Sequence, residues 1–166
     1  MPLIDFVYAV FIALALCATY FILLSLFPTF FAQKITLPRR SPWFSLSCII
    51  AFLALAYAIS FSIQDPELNN RAVHIFGGGF AGLLTCFFAA RDSRVLINKF
   101  QFFVFSALIV LALGVANELF EFILQMYGWI ISSASFEDTW FDLASNAIGI
   151  VLASVCLVPL YKGEAQ

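Results

Sequence analysis

The chain has 166 residues, of which 63% are hydrophobic and 11% charged, with a formal net charge of −2. Typical soluble domains are about 45–50% apolar and about 25% charged, so eighteen charged groups (8 basic and 10 acidic) and 21 Phe exclude a soluble enzyme, a nucleic-acid binder and a disordered chain. The class is an all-α, polytopic transmembrane helix bundle, with residues 1–166 forming one domain.

A membrane-spanning helix needs about 20 mostly apolar residues. Five segments qualify: Phe6 to Ala32, Trp43 to Ile63, Ala72 to Ala90, Phe100 to Met126, and Thr139 to Tyr161. The first is uncharged, with Pro28 near its end, and reads as a retained helix. It lacks the basic leader of a secretory signal, and its apolar run exceeds a signal's. Arg39, Arg40, Ser41 and Pro42 break the chain before the second span. Cys17, Cys48, Cys86 and Cys156 fall inside spans without paired spacing, as small packing residues do. Trp43, Trp129 and Trp140 lie near span ends, where an interfacial aromatic belt is expected. The apolar, Ser-containing stretch from Gly128 to Glu137 is a candidate re-entrant lid.

Basic residues set orientation. Lys34, Arg39, Arg40, Arg91, Arg94, Lys99 and Lys162 fall on one side of a five-span arrangement, and Arg71 on the other. The N-terminus is therefore expected outside and the C-terminus in the cytoplasm. Asp92 and Glu164 accompany the basic side. Asp5, Asp65, Glu67, Glu118, Glu121, Glu137, Asp138 and Asp142 lie toward the outside. Asp5, Asp65 and Glu67 read as solvated loop charges.

Acids within apolar helices are expensive and mark functional positions. Glu118 lies about 27 Å along the fourth span at 1.5 Å per residue, in the outer third of a hydrocarbon layer about 30 Å thick. His74 is expected in the first turn of the third span, and Asp142 and Asn146 in the first two turns of the fifth. The spacings align each set on one helix face. Arg71 and His74 are i, i+3, as are Glu118 and Glu121. Asn117 and Glu121 are i, i+4, and Asp138, Asp142 and Asn146 follow at i+4 steps, with Gly149 continuing the face. The third span also carries Gly77, Gly78, Gly79 and Gly82. Their low helix propensity needs a compensating role, either close packing through the Gly78/Gly82 pair or shaping of a ligand pocket.

Three motifs in order, Arg71-x-x-His74, Glu118-x-x-Glu121 and Asp138-x-x-x-Asp142-x-x-x-Asn146-x-x-Gly149, resemble those of the VanZ-like group of small bacterial membrane proteins. The likeness covers about the C-terminal 100 residues. Glu121, where Gln is common in that group, departs from the pattern and makes the pocket more acidic. The resemblance implies a multi-pass protein of the bacterial cytoplasmic (inner) membrane with a role in the cell envelope.

Three functions fit these residues. One is binding or processing of an envelope lipid or its head group. Glu118, Glu121, Asp142 and His74 are the candidate catalytic groups, and Arg71, Asn117, Asp138, Asn146 and Gly78 would contact the ligand. His74, Glu118, Glu121, Asp138 and Asp142 supply imidazole and oxygen donors for a divalent metal ion. The second is a non-catalytic accessory or assembly subunit that meets a membrane-protein partner or a second copy of itself. The third is a proton- or cation-coupled transporter, which the sparse polar content of the basic-side halves disfavours. No HExxH, serine-nucleophile or phosphatase motif is present.

Overall fold

The computed structural model describes residues 3–33, 40–128 and 136–163. All regular structure among them is helical: α1 (Leu3–Phe30), α2 (Pro42–Phe61), α3 (Pro66–Ala72), a π-helical segment (Val73–Phe80), α4 (Ala81–Ser93), α5 (Lys99–Met126) and α6 (Phe136–Leu157). Helix α3, the π segment and α4 run on as one continuous span. Five helices are therefore long and apolar enough to cross a membrane. The protein is a multi-pass membrane protein.

The ends of these helices follow from local chemistry. Pro66 opens the third span, and the Asp65 side chain caps it by accepting from the Glu67 and Leu68 N–H groups at 3.0 and 2.9 Å. The span thus begins six residues before the expected Ala72, and His74 sits in its third turn instead of its first. The apolar run misled here, because Pro66–Arg71 is polar yet capped and helical. Asp65 is accordingly a cap, and Glu67 pairs with Arg71 one turn on. Asn98 starts α5 through a reciprocal capping box with Gln101. Arg94, at φ 56°, terminates α4.

Successive spans alternate in direction, so the bundle has a basic and an acidic end. At the basic end Gln33 clamps α1 to the α4–α5 loop, donating to Leu96 O at 2.6 Å and accepting from Leu96 N at 2.7 Å. Tyr161 stacks on Phe102 (4.4 Å between centroids) and donates to Val95 O at 3.1 Å. Arg40, Arg91, Arg94, Lys99 and Lys162 cluster here. The described acids other than Asp92 lie toward the opposite end.

The central span is the hub. It is 67% buried over its most apolar window, against 17% for α5. Helix α1 packs on α4 through Leu16, Tyr20, Leu23, Leu24 and Phe27. Helix α6 packs most extensively on the π segment. The four cysteines are free; Cys86 is fully buried and Cys17 and Cys48 pack against the core, as expected of packing residues, whereas Cys156 is exposed. Trp43 and Trp140 are exposed near helix starts. Trp129 and most of the Gly128–Glu137 stretch lie outside the described residues.

Candidate functional site

Gly77-Gly78-Gly79 weakens the α-helix, and there the span widens into a π segment in which Ala81 N–H reaches Phe76 O, five residues back. Such segments mark functional positions in many helices. The backbone of α6 comes against it closely enough to exclude side chains. A Cβ on Gly149 would lie 2.1 Å from Ile75 O, and one on Gly79 2.1 Å from Asn146 O. A Cβ on Gly78 would lie 2.1 Å from Asn146 Oδ1. Gly78, Gly79 and Gly149 therefore serve close packing, which carries Asp142 and Asn146 to His74, while Gly77, Gly78 and Gly82 also line a cavity.

The polar groups meet as follows. His74 is 8% exposed and Asp142 and Asn146 are each 4% exposed. His74 Nε2 lies 3.5 Å from Asp142 Oδ2, and Asn146 Nδ2 lies 3.5 Å from His74 Nδ1. Asn70 Nδ2 donates to Asp142 Oδ1 at 2.8 Å. Glu118 of α5 completes the group: one donor atom each from His74, Glu118 and Asp142 all lie within 4.8 Å of one another. Glu118 Oε1 is buried and accepts no hydrogen bond, and the same holds for Asn146 Oδ1.

The remaining expected site residues take other places. Glu121 accepts from Asn117 Nδ2 at 2.8 Å, one turn apart on α5. Asp138 is half-buried, one turn before Asp142 on α6. Neither belongs to the three-residue donor group. The Arg71 guanidinium bonds Glu67 and sits 4.4 Å over the Phe141 ring, while its Nε is buried without a partner. Asn70 was not singled out in the sequence, although its i, i+4 relation to His74 put it on the same face.

A cavity of about 240 Å³ adjoins the cluster between α1, the central span and α5. His74, Asn117 and Asn146 line one end of it, and Gly82, Val110 and Leu16 line the other. Phe11 of α1 and Phe120 of α5 stack beside its polar end at 5.4 Å and 12°.

A second polar cluster went unanticipated. At the basic end Asp92 is fully buried. Its Oδ2 accepts from the Tyr20 hydroxyl at 2.8 Å and from Ser45 Oγ, and its Oδ1 accepts from Arg91 Nε at 2.9 Å. Arg91 Nη2 also donates to Ser45 Oγ at 3.0 Å, and its guanidinium lies 4.7 Å over the Phe88 ring. The basic-side halves thus hold more polar structure than their composition announced. Tyr20 and Ser45 are two among several hydroxyl residues in the first two spans, so nothing local singles them out.

Two carboxylates and an imidazole facing one another in an apolar layer call for a compensating positive charge. Arg71 bonds Glu67, and among the described residues His74, Glu118 and Asp142 form a group whose donor atoms could hold a metal ion. Compared with protein-family models, curated proteins and solved structures, the chain matches none of them.

Proposed function

We propose that the protein binds a divalent cation at His74, Glu118 and Asp142 and, through it, the anionic head group of an envelope lipid. A nitrogen and two carboxylate oxygens suit a divalent first-row metal or Mg²⁺, with coordination positions left for a phosphate oxygen or water. The observation that carries this reading is the convergence of three donors from three helices with Glu118 Oε1 left unpaired. Asn70, which donates to Asp142 Oδ1, would orient that ligand as outer-shell partners of metal ligands do. Glu121, Asp138, Asn117 and Arg71 lie on the same helices within a turn or two and would face the head group.

The setting we infer is the bacterial cytoplasmic membrane, with the acidic end outside. Its support is the segregation of basic and acidic residues and the VanZ-like order of the three motifs. The test is the metal content of detergent-purified protein. Wild type retains a stoichiometric divalent cation, whereas Glu118→Gln and Asp142→Asn accumulate normally and lose it. Wild type without a cation, alongside normally accumulating variants, overturns the proposal.

The accessory-subunit reading has one observation of its own. Asp142 is already bonded to Asn70 and close to His74, as a packing cluster would be. Failure of both variants to accumulate, in a wild type that holds no cation, would favour that role.

A further inference from the structure

The cavity beside the polar cluster has the form of a slot along the helix axes. Its lining runs from His74 to Gly82 on the central span and from Asn117 to Val110 on α5. At 1.5 Å per residue each run extends about 10–12 Å. Its polar groups gather mainly at the His74 end, and away from that end Leu16, Val110 and Gly82 make the wall apolar. Ligand sites for drug-sized molecules occupy about 300–1,000 Å³, so about 240 Å³ suits a slender occupant.

Helices α1 and α5 explain why the slot exists. They meet through rings at two levels. Phe11 stacks on Phe120 toward the acidic end, and Phe30 and Phe31 pack on Phe105 at 4.6 and 4.8 Å toward the basic end. Between these levels α1 lines the cavity with Ile12, Ala15, Leu16 and Thr19 and α5 with Val110, Leu113 and Gly114, of which Ala15, Thr19 and Gly114 are small and leave room in the seam. Ala15 is exposed although it lines the cavity, so the seam is open to the surroundings of the bundle. For a membrane-spanning bundle those surroundings are lipid tails.

Asn146 supplies an independent mark of a ligand. It is 4% exposed and lines the slot, and its Oδ1 accepts no hydrogen bond. A buried acceptor left unpaired costs about 1–3 kcal/mol, which a hydroxyl or amide donor on an occupant would offset.

We infer that the slot between α1 and α5 takes a single acyl chain of the lipid whose head group sits at His74, Glu118 and Asp142, entering sideways through the seam at Ala15. The chain would lie parallel to the helices, leaving the lipid's head group at His74, where a head-group hydroxyl can donate to Asn146 Oδ1. The Phe11–Phe120 stack bounds the mouth on the acidic side and directs entry from the hydrocarbon layer. The inference rests on the reading of the polar cluster as a head-group site, while the slot itself is tested separately.

The experiment reconstitutes the full chain in phosphatidylglycerol vesicles containing a fraction of lipid with a photoreactive diazirine on one acyl chain. Crosslinked peptides are mapped and metal content is measured on the same samples. In wild type, labelling concentrates on residues 15–19 and 110–114. Ala15→Phe fills the seam and abolishes that labelling while leaving the cation bound. Leu14→Phe, on the neighbouring exposed position, leaves the labelling intact. Labelling spread evenly over exposed helix faces and unchanged by Ala15→Phe overturns the acyl-chain site. If labelling of the slot persists in a protein that never holds a cation, the slot stands and the metal-dependent head-group reading falls.

Discussion

Both ends of the bundle bury a carboxylate among helices, yet the two are finished differently. Asp92 at the basic end has both oxygens bonded, by a tyrosine and a serine on one side and an arginine on the other. The acidic end brings together Glu118 and Asp142 around one histidine, with Glu118 Oε1 and Asn146 Oδ1 left unpaired and a cavity beside them. A closed network holds helices together, because each charge has its counter-charge and each acceptor its donor. An open one stores unsatisfied groups in a place where they are costly, which is how binding sites are built.

Substitutions at the two ends should therefore separate cleanly in thermal unfolding. The largest expected effect is Asp92→Ala. It leaves the Arg91 charge partly buried without its partner and should cost about 3–5 kcal/mol, read as a lowered unfolding midpoint and reduced accumulation. Tyr20→Phe removes one hydrogen bond to that carboxylate and should cost about 1.5–3 kcal/mol. If it proves neutral, the Asp92 network does not hold these helices together. Gly149→Ala pushes a methyl group into Ile75 O and should cost about 1–3 kcal/mol through overpacking. Because that contact carries α6 to the central span, the same variant should also weaken cation retention at His74 and Asp142.

The smallest stability effect is expected at the acidic end. Compared in metal-free samples, Glu118→Gln should cost less than about 1 kcal/mol, because its buried Oε1 accepts no hydrogen bond that could be lost, while cation binding disappears. A loss as large as that of Tyr20→Phe would erase the distinction between the ends. Asn70→Ala sharpens it further, weakening cation affinity by about 10–100-fold through loss of the donor that holds Asp142. Titration of purified protein with Mn²⁺ or Zn²⁺ would measure that change.

Much of the acidic site is legible in the sequence. His74, Glu118, Asp142 and Asn146 stood out because an ionisable or amide group in an apolar span is rare, and the span lengths put them at one depth. The spacings along each helix were equally readable, and Asn117 does bond Glu121 at the predicted i, i+4 distance in sequence. Asp92 is inconspicuous in the sequence because it adjoins Arg91 at a span end, where a charge is ordinary. Its partners Tyr20 and Ser45 come from helices 72 and 47 residues away, and no local pattern announces such a pairing.

The amino-acid sequence by itself determined the solvent of this protein, its five spans and the segregation of its charges, since these depend on composition, length and local periodicity. Only the tertiary structure decided which acids converge. The rotation of each helix about its axis is set by side-chain fit, here by Gly78, Gly79 and Gly149 allowing α6 onto a π segment. That contact brought Asp142 of α6 against His74, and the placing of α5 added Glu118 to them, pairings that span separate helices and have no local pattern.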